Sequence, residues 1–404
     1  MRLKEICALV ICSVILCLSA CNQKSIQKDA YINLDTQIAI KIKRELRLSE
    51  IAESIEYVKL ETTPESLIST GTFLVGEKYI VYCNRNPAKV ILFDRAGKYI
   101  REIGTIGKGP GEFMYPVYIE LNSDENKLLV ESYEPRSNKL FEFNIQGELL
   151  KTGTIPSRSE GGLKYTKDNK YIYMQARYMR DSLNYPRIIV LDDNFSNPEV
   201  IHSININVNP DQMQVYHLRN LFSRGELGFN FRDCLDDTLY SIDKNFHIEP
   251  KYILNVGENK PPYDKMTIKE WDSYSNNVEI LNELNEYLLM TARVNGKMHY
   301  LAYNKANQDF FSIEKPKQCD GSDGHGLKDD LMGTGPYWMW DGADLKHNSF
   351  YDQLDLVDLK ELVKTDCFNN DQGFKTTVYR DDLKKIVDGS SIEDNPIIRI
   401  IKLK

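Results

Sequence analysis

The stretch Tyr79-Ile80-Val81-Tyr82-Cys83, Asn84 to Ala88, Lys89-Val90-Ile91-Leu92-Phe93-Asp94, Arg95-Ala96-Gly97-Lys98, Tyr99-Ile100-Arg101-Glu102-Ile103-Gly104 decides the fold. It contains three short runs of β-branched and aromatic residues, each followed by a polar turn, which is the pattern of successive antiparallel strands. The second run ends on Asp94. Gly97 then supplies the positive φ that a tight hairpin requires.

The same order recurs along the chain. A second copy runs from Leu128-Leu129-Val130 through Lys139-Leu140-Phe141-Glu142-Phe143-Asn144 to Gly147. A third runs from Tyr171-Ile172-Tyr173 to Ile188-Ile189-Val190-Leu191-Asp192. A fourth begins at Gly228-Phe229-Asn230 and passes Thr238-Leu239-Tyr240-Ser241-Ile242-Asp243. A fifth begins at Tyr287-Leu288-Leu289 and passes Tyr300-Leu301-Ala302-Tyr303-Asn304, and a weaker sixth starts at Trp338-Met339-Trp340. Repeats of about this length, each a small antiparallel sheet, are the signature of propeller blades, whose faces are buried only by stacking around an axis. The expected fold is therefore all-β: a six-bladed β-propeller of four-stranded antiparallel blades over residues 45–404. Ser54-Ile55-Glu56-Tyr57-Val58-Lys59-Leu60 and Pro396-Ile397-Ile398-Arg399-Ile400-Ile401-Lys402-Leu403 lie outside the six copies. They are expected to share one blade and so to close the ring without an open edge. Met266 to Leu288, Leu354 to Val363 and Asp381 to Val387 have helical spacing and read as short insertions on blades.

Residues 1–20 read as an address rather than as part of the fold. Arg2 and Lys4 precede an apolar run, Ile6 to Leu18, of secretory length, followed by Leu18-Ser19-Ala20-Cys21. Small residues before a cysteine resemble the bacterial lipoprotein box, in which the chain is cut before the cysteine and the cysteine is acylated. That resemblance implies a lipid anchor at Cys21, a tether over residues 21–44 and a mature protein that is tethered to a membrane without spanning it. No acidic run follows Cys21, which favours a periplasm-facing anchor over display on the outer-membrane surface. The 404 residues carry 51 Lys plus Arg and 59 Asp plus Glu, a net charge of −8. This balance argues against a general nucleic-acid binder, which needs a cationic face. Cys83, Cys234, Cys319 and Cys367 remain in the mature chain without a C-x-x-C pair. Export permits disulfides, but the spacing names no partners. Cys83 and Cys234 read as buried free thiols within strands.

Glu61-Thr62-Thr63-Pro64-Glu65-Ser66-Leu67-Ile68, the Phe93 to Gly104 segment, Gly107-Lys108-Gly109-Pro110-Gly111-Glu112-Phe113 and the ending Asp394-Asn395-Pro396 with Lys402-Leu403-Lys404 resemble the six-bladed β-propeller lipoproteins of Gram-negative gut bacteria. These are relatives of NHL-repeat propellers. The resemblance spans the mature chain, most strongly in the first two blades and at the end. It implies the propeller and the lipoprotein address. That family has no general established activity, so no functional residue is carried over.

The residues themselves exclude several chemistries. Gly104, Gly107, Gly109 and Gly111 lack the order of a phosphate-binding loop, and neither a Lys-Ser/Thr pair nor a helix follows them. Among the six His there is no H-E-x-x-H, and no G-x-S-x-G is present. The Cys319 to Gly326 loop gathers Asp320 and Asp323 among glycines, a weak calcium candidate whose order matches no EF-hand. No cofactor is expected. A less ordinary pattern is an Arg at the turn after the first quoted strand of several blades: Arg85, Arg136, Arg177 or Arg180, Arg232 and Arg293. Equivalent turns lie on one face of a propeller. Guanidinium groups there would bind carboxylate or phosphate bidentately, unless they pair with local Asp or stack on Tyr. The reading is a non-catalytic binding or scaffold module of the cell envelope, for a protein or an anionic glycan or peptide. A propeller hydrolase or lyase acting on polysaccharide or peptide is the alternative.

Overall fold

A computed structural model describes residues 31–404, except 135–137, 156–157, 176–183, 206–220, 226–227, 234–236, 259, 261–275, 319–320, 339–342, 345–347 and 371–372. Six sheets form six blades. Blade one is Thr72–Val75, Tyr79–Arg85, Ala88–Asp94 and Tyr99–Glu102. Blade two is Pro116–Leu121, Lys127–Tyr133, Asn138–Asn144 and Leu149–Ile155. Blade three is Ser159–Tyr165, Tyr171–Gln175, Asn184–Leu191 and Glu199–Asn205. Blade four is Leu221–Arg224, Gly228–Arg232, Thr238–Asp243 and Ile248–Asn255. Blade five is Asn277–Glu283, Tyr287–Val294, Lys297–Asn304 and Phe310–Ile313. The first strand of each blade lies nearest the axis, which is why Glu120 of blade two reaches Arg224 of blade four across the ring.

Blade six takes its strands from both ends of the chain. Ala343–Asp344, Ser349–Leu354 and Ile397–Leu403 are completed by Ala52–Lys59, antiparallel to Ile397–Leu403 from Ile397 opposite Lys59 to Leu403 opposite Ala52. This is the expected closure. Ile398 and Ile400 then meet Val58, Leu60, Phe73, Val75, Ile80 and Phe93 at the seam between blades six and one. Each of the other seams holds its own apolar cluster, for example Leu92, Phe113, Val130 and Phe143 between blades one and two. The core is thus a ring of six interfaces, each buried by two neighbouring sheets.

The third strands of blades one, two, four and five end in Asp94, Asn144, Asp243 and Asn304, and Asp192 directly follows that of blade three. The side-chain oxygen of each accepts backbone N–H groups two or more residues on: Asp94 from Ala96 and Lys98, Asn144 from Glu148, Asp192 from Asn194 and Ser196, Asp243 from Asn245 and His247, Asn304 from Ala306 and Asn307. A short acceptor on the strand end satisfies amides that the ladder leaves unpaired, so the turn closes tightly. These turns share one face with the hairpins between first and second strands; we term it the turn face. The longer connections gather on the opposite face. They include Leu356–Leu362, Asp366–Asn369 and Val378–Asp388, three helices between the second and third strands of blade six. Their buried Leu356, Leu359, Phe368, Leu383 and Val387 make a separate cluster over Ile397.

Three expectations change. Asn277–Glu283 and the start of Tyr287–Val294, within the helical reading of Met266 to Leu288, are strands joined by a turn; 261–275 lie outside the described residues. The pairing of the first of these strands carries a register shift between Val278 and Ile280, which breaks the alternation expected of a strand. The sixth copy does not begin a strand at Trp338. Trp338 is buried in the connection before blade six, edge-on to Tyr300 at 4.8 Å, and the second strand is Ser349–Leu354. Residues 32–44, expected as the end of a tether, form a belt on the ring. Ile32–Asp35 adds parallel to Ile248–Asn255, and Lys43–Arg44 adds parallel to Phe310–Ile313. The belt covers the outer edges of blades four and five.

Ile398 and Ile401, fully buried on the closing strand, are the positions to probe. Ile398→Ala and Ile401→Ala are each expected to lower unfolding stability by about 2–5 kcal/mol, whereas Ile392→Ala, exposed beside them in sequence, stays within about 0.5 kcal/mol. Urea denaturation followed by tryptophan fluorescence measures both.

Candidate functional site: a charged cavity between blades three, four and five

A cavity of about 510 Å³ opens on the turn face between blades three, four and five. It lies within the size range of small-ligand sites. Its lining comes from tight turns of all three blades. Thr166, Lys167 and Asp168 follow the first strand of blade three. Gly225 follows the first strand of blade four, and Asp243, Lys244 and Phe246 its third. Leu284 and Asn285 follow the first strand of blade five, and Lys305 its third.

Two carboxylates hold the walls together. Glu120 accepts from Arg224 Nη2 at 2.5 Å and from Lys164 Nζ at 3.5 Å, tying the inner strands of blades two, three and four. Arg224 Nη2 also donates to the Tyr165 carbonyl at 3.1 Å, and its guanidinium lies 5.4 Å from the centre of the Phe229 ring. Glu283 accepts from Lys251 Nζ at 2.7 Å, Lys305 Nζ at 2.8 Å and Asn230 Nδ2 at 2.7 Å. Burial opposes charge on Glu283, but Lys251 and Lys305 outweigh it and hold its pKa below the ordinary value. Asp243 is spent on its turn and on His247 Nδ1 at 3.2 Å. Lys167 and Lys244 are exposed and make no ion pair among the described residues, which leaves positive charge at the mouth of a chain whose net charge is −8. Asp168 shares that rim. Tyr165, Phe229, Phe246 and Leu284 supply apolar wall between the charges.

Of the arginines singled out in the sequence, Arg85 and Arg293 lie toward the opposite face. Arg85 is exposed at the end of the second strand of blade one. Arg293 occupies the penultimate position of the equivalent strand of blade five and is half-buried. Arg232 is not on the rim. It is 4% exposed, and its Nη1 donates to the Val278 carbonyl of blade five at 3.1 Å. Arg232 follows Phe231 in a strand buried between blades, so its side chain ties a seam. Arg136, Arg177 and Arg180 lie outside the described residues, as do Cys21, Cys234, Cys319 and Asp320. Asp323 is exposed and pairs with Lys317 at 2.6 Å. Among the described residues no group of three or more His, Cys, Asp or Glu is placed to hold a metal ion. The nearby acids build local structure: Asp329 accepts from the amides of Leu331, Met332 and Thr334, and Asp330 from Ser49 N and Oγ. The glycine cluster is a loop occupied by its own anion, because Glu112 Oε2 accepts from Gly109 N at 2.7 Å. Cys83 is a buried free thiol whose pKa burial pushes up to about 12, and Cys367 is disulfide-bonded.

Sequence reading missed the cavity because its charges sit on turns that otherwise look like solvated hairpins. The available signal was the dipeptides Asp243-Lys244 and Asn304-Lys305, which place a lysine at the same turn of adjacent blades.

Comparison with known proteins supports the architecture. The model of the family described as a domain of unknown function, DUF4934, matches residues 31–402. The crystal structure of a Bacteroides fragilis NCTC 9343 protein, described as a presumed exported protein, is similar over 93% of this chain and 99% of that one, with a TM-score of 0.60 and 15% identity. A Bacteroides thetaiotaomicron VPI-5482 protein of unknown function is similar over 68% of this chain and 66% of that one, with a TM-score of 0.36 and 8% identity. No curated protein matches the chain.

Because the Glu283 pKa is depressed by its lysines, its stabilisation is fully present above the ordinary glutamate value near 4.5 and fades as pH falls through the depressed one. Glu283→Gln is therefore expected to lower the urea midpoint at pH 7, with the gap from the parent narrowing below about pH 4.

Proposed function

We propose that this chain, which belongs to the DUF4934 family, is an exported, lipid-anchored recognition module of the cell envelope, and that its turn-face cavity binds an acidic glycan. The observation that carries the reading is the division of charge in the cavity. Its buried carboxylate is consumed by internal lysines, while Lys167 and Lys244 stand at the mouth without an ion pair among the described residues. A uronate carboxyl would meet those lysines. The C–H face of a sugar ring would meet Phe229, Phe246 or Leu284, and hydroxyls would meet Asp168, Thr166 and Asn285. Ligand pockets combine an apolar wall with a few polar groups in this way. The hydrolase alternative is weaker at this site, because a general acid needs a raised pKa and Glu283 is shifted in the opposite direction.

Three features support export and anchoring. Residues 1–21 have the form of a lipoprotein signal ending at Cys21. Cys367 is in a disulfide, the form favoured in oxidising compartments. Among the described residues no helix is long and apolar enough to cross a membrane.

Calorimetric titration with oligogalacturonate, a neutral oligoglucose and an acidic peptide tests the ligand class. The expected result is binding of oligogalacturonate that weakens with salt and falls at least tenfold in Lys167→Glu/Lys244→Glu. Preference for the peptide or the neutral sugar, or an unaltered double variant, overturns the acidic-glycan assignment; released reducing ends would establish the hydrolase instead. Alkylation of the unfolded, unreduced protein purified from the envelope should leave Cys367 unlabelled and Cys83 labelled.

A further inference from the structure

Among the described residues four apolar side chains line the turn-face cavity: Tyr165, Phe229, Phe246 and Leu284. Three of them have little surface left to offer. Tyr165, Phe229 and Leu284 are buried. Tyr165 lies against Tyr171 at 5.1 Å, and Phe229 has the Phe222 ring stacked on it at 5.7 Å. Phe246 alone of the four is only half-buried. Its backbone is also the one least suited to it, because at φ +65 it holds the left-handed conformation that strains a bulky residue. The same place in the turns of blades one and two belongs to glycine. Gly97 N donates to the Asp94 carbonyl and Gly147 N to the Asn144 carbonyl, as Phe246 N does to the Asp243 carbonyl at 3.0 Å. Blade three puts Phe195 there at φ +59, but that ring is buried 4.5 Å from Tyr171, so packing offsets the strain. Phe246 packs in part on the seam between blades three and four and leaves the rest of its ring in the cavity.

We infer that Phe246 is the specificity-determining residue of the cavity, stacking on the C–H face of one pyranose unit of the glycan. The inference rests on the acidic-glycan reading and narrows its apolar contact to one side chain. An aromatic face carries partial negative charge, and the C–H groups on one side of a pyranose present partial positive charge to it. Backbone strain of this kind gathers at ligand contacts and persists where the surroundings fix the conformation. Here they do: Asp243 accepts from Asn245 N and His247 N, so the turn closes whatever side chain stands at Phe246. Glycine would serve that turn, as it does in blades one and two. What the phenyl ring adds is a surface in the cavity. Lys170 Nζ lies 5.9 Å from its centre, and Lys167 and Lys244 line the same cavity. A uronate stacked on Phe246 is thus held by its ring while its carboxylate stays among cations. An extended acidic peptide shares the charge but lacks the rigid C–H face.

Calorimetric titration of the full-length protein and its variants with oligogalacturonate is the test, with urea denaturation to show that each variant is folded. Phe246→Gly, and Phe246→Leu with apolar bulk but no flat face, are each expected to weaken binding about tenfold. Phe246→Trp is expected to keep the parent's affinity, and its emission to change on ligand addition beyond the response of the parent's three tryptophans. Phe195→Leu, at the same turn position of blade three, should lower the urea midpoint and leave affinity unchanged. If the parent binds and folded Phe246→Gly or Phe246→Leu binds equally well, or the Phe246→Trp emission does not respond, the stacking role is overturned while the acidic-glycan reading stands. If the parent does not bind oligogalacturonate, that reading fails and the stacking role with it.

Discussion

Six sheets with two apolar faces each can all be buried only if the last meets the first. That requirement falls on the antiparallel pairing of Ile397–Leu403 with Ala52–Lys59. It aligns Ile398 and Ile400 with Val58 and presents them to Phe73, Ile80 and Phe93 of blade one. Without it, one seam would open, blade six would lose its outer strand and blade one would show an unprotected face. Asn395 reinforces the join from outside the strand. It donates to the carbonyls of Glu61 and Ser66 and accepts from Ile68 N.

With the ring closed, the central strands can carry charge that an isolated sheet could not. Glu120, Lys164, Arg224 and Glu283 come from the inner strands of four blades, and Lys251 and Lys305 reach Glu283 from the outer strand of blade four and a turn of blade five, so that the charges neutralise one another. Buried carboxylates of this kind persist only with compensating partners. Glu131 shows the limit: Ser159 and Asn138 hydrogen-bond to it, yet burial still raises its pKa. Inner-strand packing is close enough to need glycine. Gly162 has φ +77 beside a register shift, and a Cβ there would lie 2.8 Å from Tyr118 of the neighbouring blade.

The blades were legible in sequence because strand period and turn chemistry agree. The runs at Lys89 to Phe93, Lys139 to Phe143 and Tyr300 to Tyr303 each end in an Asp or Asn that performs the same hydrogen bonding. Closure was legible because two β-rich ends were left over. The belt was not, since Ile32–Asp35 and Lys43–Arg44 are too short to stand out and owe their form to edges provided by residues more than two hundred positions away. The candidate site was largely hidden. A lysine in a hairpin reads as solvated, and only the ring reveals that Lys167, Lys244 and Lys305 converge. Arg232 failed in the reverse sense: its place in the repeat was read correctly, but not the depth of the seam that absorbs it.

The join between chain ends also governs the timing of assembly. Lys404 Nζ donates to the Ser49 carbonyl across 355 residues, among the most distant pairings in the molecule. The N-terminal partner is synthesised first and must stay unpaired until the final residues arrive. Contacts of such range slow folding, because the loop entropy is lost before they form. A chain made from its N-terminus thus keeps an open sheet edge until its last strand emerges.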